Sequence, residues 1–223
     1  GSKITLDWVD SIKDLGVLVD DSSSFSDHIY EKIKLANMIL GIINRNLREL
    51  GKEAFLLLYK SLVRSKLEYA NSVWNPYKIS LISDIEGVQR RATKMVKECK
   101  TLSYVERLKC LKLPTLKFRR VRGDMIEVFK ILNSYYDSEI VPPLIRNFNS
   151  KTRGNSFKLL HASSNLDIKK YSFCVRVVGI WNSLPDSVVI ASSVNSFKNK
   201  LDKFWSSEEL LYNCDYDFSG KIS

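Results

Sequence analysis

Apolar residues recur at spacings of three and four along most of this chain, which is the period of an amphipathic helix. The longest run predicts a helix from Ser26, which serves as its N-cap, to near Gly51. A second run predicts a helix over residues 52–70, and Asn75-Pro76 then breaks the pattern. The apolar positions of these two helices are Ile29, Ile33, Ala36, Leu40, Ile43, Leu47, Phe55, Leu58, Tyr59 and Leu62.

The same spacing continues beyond Pro76. It predicts helices over about residues 85–97, 104–111, 118–132, 173–184 and 197–204. Ser103 and Glu106 have the spacing of a capping box at the start of one of them, and Pro185 stops another. The predicted apolar stripes contain Ile85, Val88, Ala92, Met95, Phe118, Val121, Met125, Phe129, Leu132, Phe173, Val177, Ile180, Trp181, Leu184, Phe197, Leu201 and Phe204.

Strand patterns are confined to the start of the chain. Residues 4–9 and 14–20 are rich in Ile, Val, Leu and Trp and predict two short strands with a turn at Asp10-Ser11. Residues 146–168 lose periodicity and predict a mobile loop with one short strand over 157–160, and the tail from Cys214 is expected to be loose. The predicted fold class is mainly α, with a β-hairpin at the N-terminus.

Composition excludes several classes of protein. The chain has 223 residues, of which 44% are apolar, enough for one sizeable core or two smaller ones. It lacks both an apolar run of about 18 residues and a signal-peptide pattern, so we expect an intracellular protein without a membrane partner. The four cysteines are scattered, and only two histidines accompany them. We therefore expect no metal, no cofactor and no structural disulfide, and ordinary packing for Cys99 and Cys110 rather than half of a metal site.

Positive charge is concentrated in one region of the chain. The formal net charge is +10, and between Arg90 and Lys130 thirteen Lys and Arg face four Asp and Glu. Such a cluster is typical of a phosphate-backbone site, although a solvated basic face without a ligand is the alternative. Four cations at the start of the helix over 118–132 oppose its dipole, which favours an external polyanion. The candidate nucleic-acid-binding residues are Lys34, Arg45, Lys60, Arg64, Arg90, Arg91, Lys94, Lys97, Lys117, Arg119, Arg120, Arg122, Arg153 and Lys158.

Two adjacent aspartates, Asp20 and Asp21, suggest a magnesium site at first sight, because paired carboxylates suit two-metal phosphoryl transfer. In polymerases, the turn that holds magnesium has an aromatic residue two positions before its Asp-Asp pair, but residue 18 of this chain is leucine. No upstream stretch is long enough to supply the strand that would carry the third carboxylate. A loop or helix-entry role is therefore predicted for both. Since no nucleophile, base and orienting group occur together either, the chain in isolation is not expected to be an enzyme.

A series of short segments resembles the C-terminal part of non-LTR (LINE-type) retrotransposon reverse transcriptases, especially the Jockey-like group. Each segment is weak alone, but they occur in the family's order from about residue 13 to 205. They are residues 14–17 (DLGV), 58–64 (LYKSLVR), 67–70 (LEYA), 73–77 (VWNPY), 88–94 (VQRRATK), 102–104 (LSY) with 106–108 (ERL), 122–128 (RGDMIEV), 180–185 (IWNSLP) and 193–198 (SVNSFK).

The resemblance implies a division of the chain and a function. Residues 3–24 would be the end of the palm, 25–113 a helical thumb, 114–205 a helical C-terminal extension and 206–223 a loose tail. The module would hold template-primer or element RNA during target-primed reverse transcription, in the nucleus and cytoplasm. Its partners would be RNA, an RNA/DNA hybrid or DNA, and the upstream palm and fingers, which carry the catalytic carboxylates.

The alternative is a retrotransposon-derived protein-interaction or scaffold module. Its motivation is that the catalytic core is absent, which would leave the apolar face of the hairpin, including Trp8 and Val17, without a partner. Oligomeric state does not follow from the sequence.

Overall fold

The computed structural model describes residues 9–46, 51–148, 155–161 and 166–218. These residues form a mainly helical fold preceded by a two-stranded antiparallel hairpin, which confirms the predicted fold class. Arg153, Trp8 and Leu47, which carried sequence-based predictions, lie outside the described residues.

The hairpin pairs β1, Ser11–Asp14, with β2, Val17–Asp20. The two turn residues have positive φ, 43° at Leu15 and 82° at Gly16, which is the geometry of a type I′ turn. The predicted turn at Asp10-Ser11 is therefore wrong, because Ser11 lies in β1 and the chain reverses at Leu15-Gly16, near the start of the segment interpreted as one strand. Most of the other predicted strand, residues 4–9, falls outside the described residues.

The hairpin packs on the first helix, α1, Ser26–Asn46. Val17 is buried there, so this part of the hairpin's apolar face has a partner within the chain, contrary to expectation. Asp20 is the last residue of β2, and its carboxylate accepts hydrogen bonds from the backbone N–H groups of Ser24 and Phe25 at 2.8 and 2.7 Å. These bonds, with that from the Ser22 hydroxyl, lower the pKa of Asp20 although partial burial opposes the shift. Of the loop or helix-entry role predicted for Asp20, the structure shows the second, since its side chain holds the residues that lead into α1.

The second predicted helix contains an unexpected π-helical turn. It runs as α2, Lys52–Leu58, then the π-helical turn Tyr59–Arg64, and then α3, Ser65–Glu68. A π turn holds more residues than an α turn, so the inward face passes from Tyr59 to Val63, which is buried, while Leu62 is exposed. The predicted core position at Leu62 is wrong for this reason.

Short elements connect this helix to the basic helix. After α4, Asn71–Trp74, and the break at Asn75-Pro76, α5 spans Ile79–Lys94. A 3-10 turn, Lys97–Cys99, leads to α6, Tyr104–Leu111. The predicted capping box is confirmed, because Glu106 N–H donates to the Ser103 hydroxyl and Ser103 N–H donates to the Glu106 carboxylate at 2.8 Å.

The rest of the chain forms a second group of helices. They are α7, Leu116–Leu132, α8, Asp167–Lys170, α9, Phe173–Ser183, α10, Asp186–Val189, α11, Val194–Phe204, and α12, Glu208–Tyr212. Ser193 caps α11 by accepting from Ser196 N–H at 3.2 Å. Phe204 was predicted on the apolar stripe of α11, but it is about half exposed because α11 ends there and Trp205 is buried in its place.

Buried apolar residues fall into two clusters. One reaches from Val17 to Leu116 and the other from Phe118 to Phe218. A polar network joins them, in which the buried carboxylate of Asp124 accepts two hydrogen bonds from Arg176 at 3.0 and 3.1 Å. The same guanidinium donates to the Ser72 carbonyl at 2.6 Å and thereby ties α9 to α4.

The segments predicted as loop and tail are held by specific contacts. The buried Asn155 amide donates to the carbonyls of Trp181 and Leu184, both at 2.9 Å. The tail forms α12, and Phe218 packs between Trp205 and Phe118. Residues 155–161 are therefore bonded to the helices beside them, and the segment predicted as a loose tail contains α12 and packs its residues up to Phe218 against the second cluster.

Acidification should weaken the packing of the hairpin through His28. This buried imidazole accepts a hydrogen bond at Nδ1 from Leu18 N–H at 3.1 Å, so it is neutral, and burial lowers its pKa below 6.5. As pH falls through about 6.5, the unfolded chain gains the proton before the folded one. Stability contributed by His28 is thus complete above that pH and declines below it.

Urea unfolding at pH 7.5 and 5.5 tests this expectation against His28→Asn. The Asn carbonyl can accept the same bond but does not titrate. Wild type should lose more stability than the variant between the two pH values, and equal losses would contradict a role for His28.

Candidate nucleic-acid interface

The last turns of α5 and the following 3-10 turn carry an exposed group of cations, which we call the basic ridge: Arg90, Arg91, Lys94 and Lys97. The opposite face of α5 is anchored, since Ile85, Val88 and Ala92 are buried in the first cluster. In the part of the chain that the structure describes, no carboxylate lies at ion-pair distance from these four side chains. The ridge thus holds unpaired positive charge on a rigid support.

Two ridge arginines are oriented by neutral partners. Arg91 Nε donates to the Asn37 side-chain carbonyl of α1 at 3.0 Å, and the exposed Lys34 lies one turn earlier on the same helix. Arg90 lies over the Tyr104 ring of α6, 5.3 Å from its centroid. Contacts of this kind fix a guanidinium without neutralising it, so both groups keep their charge for an external anion.

The second predicted group of cations, at the start of α7, is not available to an external anion as the basic ridge is. Arg119 makes a two-pronged ion pair with Glu68 of α3, and Arg122 does so with Asp202 of α11 at 2.5 and 2.8 Å. Burial lowers the pKa of Arg119, but the Glu68 bonds outweigh it and raise that pKa above its ordinary value. These arginines hold helices together, so their assignment to nucleic-acid binding is corrected.

Three more predicted cations are also engaged inside the protein. Arg120 is fully buried and donates to the Asn75 side chain at 3.1 Å, while Lys117 donates to the Tyr216 carbonyl at 2.7 Å. Burial lowers the pKa of both groups. Arg64 lies against Glu68 at 3.5 Å, and burial together with the neighbouring Arg119 lowers its pKa. The dipole argument for an external polyanion is wrong here, because the partners come from distant parts of the chain.

The remaining candidates are dispersed. Arg45 is exposed near the end of α1 and Lys60 on the π-helical turn. Lys158 is half-buried, with its backbone carbonyl accepting from Asn147 N–H at 2.8 Å. Sequence reasoning missed Lys100, which is exposed and follows directly on the 3-10 turn with Lys97. The sequence signal for Lys100 is the local excess of positive charge, but this excess does not distinguish an exposed cation from one that is ion-paired inside the protein.

Within the described ranges, no group of three or more His, Cys, Asp or Glu side chains is placed to hold a metal ion. Of the helices that the structure describes, none is long and apolar enough to cross a membrane. No protein-family model, curated protein or solved structure matches this chain.

Proposed function

We propose that the chain is a non-catalytic nucleic-acid-binding module that contacts phosphates through the basic ridge. The observation that carries the proposal is the exposure of four cations at the end of α5 and on the 3-10 turn after it, without carboxylate partners among the described residues. Phosphate contacts of this kind position a nucleic acid without reading its sequence, and they gain free energy from released counterions.

The resemblance to the C-terminal part of LINE-type reverse transcriptases supplies the biological setting. In that setting the ridge would clasp template-primer or element RNA during target-primed reverse transcription. The palm and fingers of the same polymerase would carry the chemistry. A surface that binds only backbone suits a polymerase, because any template must be accepted.

Charge reversal of the ridge should weaken binding in a salt-dependent way. The variant Arg90→Glu/Arg91→Glu/Lys94→Glu removes about three phosphate contacts, so the slope of log K against log salt should become about three units shallower. Affinity should fall at least about tenfold at low salt. Fluorescence anisotropy with a hairpin RNA, an RNA/DNA hybrid and duplex DNA, each over a salt series, measures both quantities.

The matched control is Lys198→Glu/Lys200→Glu/Lys203→Glu on α11, which changes the net charge equally. It should retain most of the affinity. Equal weakening by both variants would mean that net charge alone attracts the nucleic acid and that the ridge is not its site.

A protein-interaction or scaffold module is the second candidate, and a large cavity favours it. The cavity has a volume of about 620 Å³ and lies between residues 22–25, 72–77 and 136–142 and the starts of α8 and α9. Among the described residues, its lining holds one charged side chain, Glu127, and its rim exposes Val73, Ile140 and Ile168. If no probe binds at low salt, this candidate replaces the first.

A further inference from the structure

Two cysteine side chains face each other beneath the basic ridge. Cys99 ends the 3-10 turn and Cys110 lies near the end of α6, and their sulfur atoms are 3.2 Å apart. Both are free thiols. A disulfide bond requires about 2.05 Å between the sulfurs, so a small movement would suffice to form it.

A metal site does not account for this pair. Structural zinc takes four ligands, and no third Cys, His, Asp or Glu of the described residues joins these thiols in a metal-binding group. Ordinary packing accounts for Cys99, which is completely buried, but it gives no reason for two thiols to point at each other.

The two thiols differ in access. Cys110 is half-buried, and the Lys52 ammonium lies 3.8 Å from its sulfur while donating to the Cys110 carbonyl at 2.6 Å. A thiolate can attack a disulfide only where the reagent can reach its sulfur. Cys110 is therefore the thiol that a reagent from solution can reach, and Cys99 is placed to react with it afterwards.

We propose that Cys110 and Cys99 form a two-step oxidation site for small-molecule disulfides. In the first step the Cys110 thiolate attacks one sulfur of the reagent, forms a mixed disulfide and releases one thiolate. In the second step Cys99 loses its proton and attacks the Cys110 sulfur, which forms the internal disulfide and releases the other thiolate. Both cysteine sulfurs are oxidised, the reagent is reduced to two thiols, and these take up the two protons.

The environment of Cys99 makes the second step slow at neutral pH. Burial, together with the hydrogen bond to Cys110, raises the pKa of Cys99 to about 11. The largest cause, burial, does not depend on the Cys110 thiol, so in the mixed disulfide the thiolate fraction of Cys99 should still grow about tenfold for each pH unit between 7 and 9. The mixed disulfide should accumulate at pH 7 and close rapidly at pH 9.

The cross-link would stabilise the region under the ridge. It closes a loop from Cys99 to Cys110, which includes the exposed Lys100 and the capping box of α6. By the entropy of closing a loop of this size, the melting temperature should rise by roughly 5–10 °C. This inference does not depend on nucleic-acid binding.

The test uses the full chain with Cys174→Ser and Cys214→Ser, so that only the pair can react. The folded protein is treated with oxidised glutathione at pH 7, 8 and 9, and intact mass is followed over time. We expect an adduct of one glutathione that converts, faster at higher pH, to a product two hydrogens lighter than the reduced chain. That product should melt at higher temperature, and dithiothreitol should reverse the change.

Single variants of the pair assign the order of the steps. Cys99→Ser should stop at the adduct, and Cys110→Ser should not react while folded, with circular dichroism confirming the fold. A Cys110→Ser chain that forms adduct as fast as its parent would overturn the order. If the chain that keeps both Cys99 and Cys110 still carries the glutathione adduct at pH 9, the proposed oxidation site is wrong, whatever the single variants show.

Discussion

Replacing Asp124 by alanine should lower the free energy of unfolding by about 3–5 kcal/mol, since it would leave the Arg176 guanidinium buried without its counterion. The two groups make a two-pronged pair at 3.0 and 3.1 Å, and the Asp124 side chain is only 4% exposed. The pair also lies where the two apolar clusters meet, so its loss should disturb both. Urea unfolding measures the change, and the free energy of unfolding should depend equally steeply on urea concentration in wild type and variant.

Asp202→Ala provides the control, because it breaks a similar pair, which Asp202 of α11 makes with Arg122 of α7. Asp202 and Arg122 are 48% and 22% exposed, and surface pairs contribute about 0–1 kcal/mol. A further variant, Asp124→Leu/Arg176→Leu, removes both charges and should recover part of the loss. If Asp124→Ala costs no more than Asp202→Ala, the buried pair does not hold the clusters together.

Truncating Phe197 to alanine should be similarly damaging, by about 3–5 kcal/mol, because it would leave a large cavity in the second cluster. The Phe197 ring is completely buried, stacks on Phe129 with 4.4 Å between centroids and lies 5.9 Å from the Trp181 ring. Rigid aromatic neighbours cannot readily close such a cavity. Thermal and urea unfolding of the variant give the magnitude.

Phe204→Ala is the matched control on the same helix. Phe204 is 48% exposed, so its truncation should cost well under about 1 kcal/mol. Similar losses for Phe197 and Phe204 would mean that α11 does not pack as described.

Helices were predictable here because their determinants are local. The spacing of Ile29, Ala36 and Leu40 placed α1 with its buried face, and Ser103 with Glu106 placed the start of α6. Such signals depend on residues three or four apart, which the sequence displays directly.

Errors arose where the chain departs from a regular period. The π-helical turn moved the buried position from Leu62 to Val63, and the Leu15-Gly16 turn divided a segment with the pattern of one strand. No residue type announces the π-helical turn, and at the hairpin the signal of Gly16 is weakened by Leu15, because leucine rarely adopts positive φ.

The candidate site was only partly predictable for a different reason. Sequence shows that a cation is present but not which group faces it. Arg119 and Arg122 have partners 51 and 80 residues away, whereas Arg90 and Lys94 have no ion-pair partner among the described residues. Distinguishing a helix clamp from a ligand-binding cation therefore required the tertiary fold.

The packed tail has a consequence for how the protein is made. Tyr212 packs against the first cluster and Phe218 completes the second, and Leu211 accepts a backbone hydrogen bond from Thr115 at 2.9 Å, between the two. The first cluster cannot be finished until residue 212 has left the ribosome, and the second cannot be finished until residue 218 has left it. Earlier helices therefore keep apolar faces uncovered during synthesis, and these faces are open to aggregation in that interval.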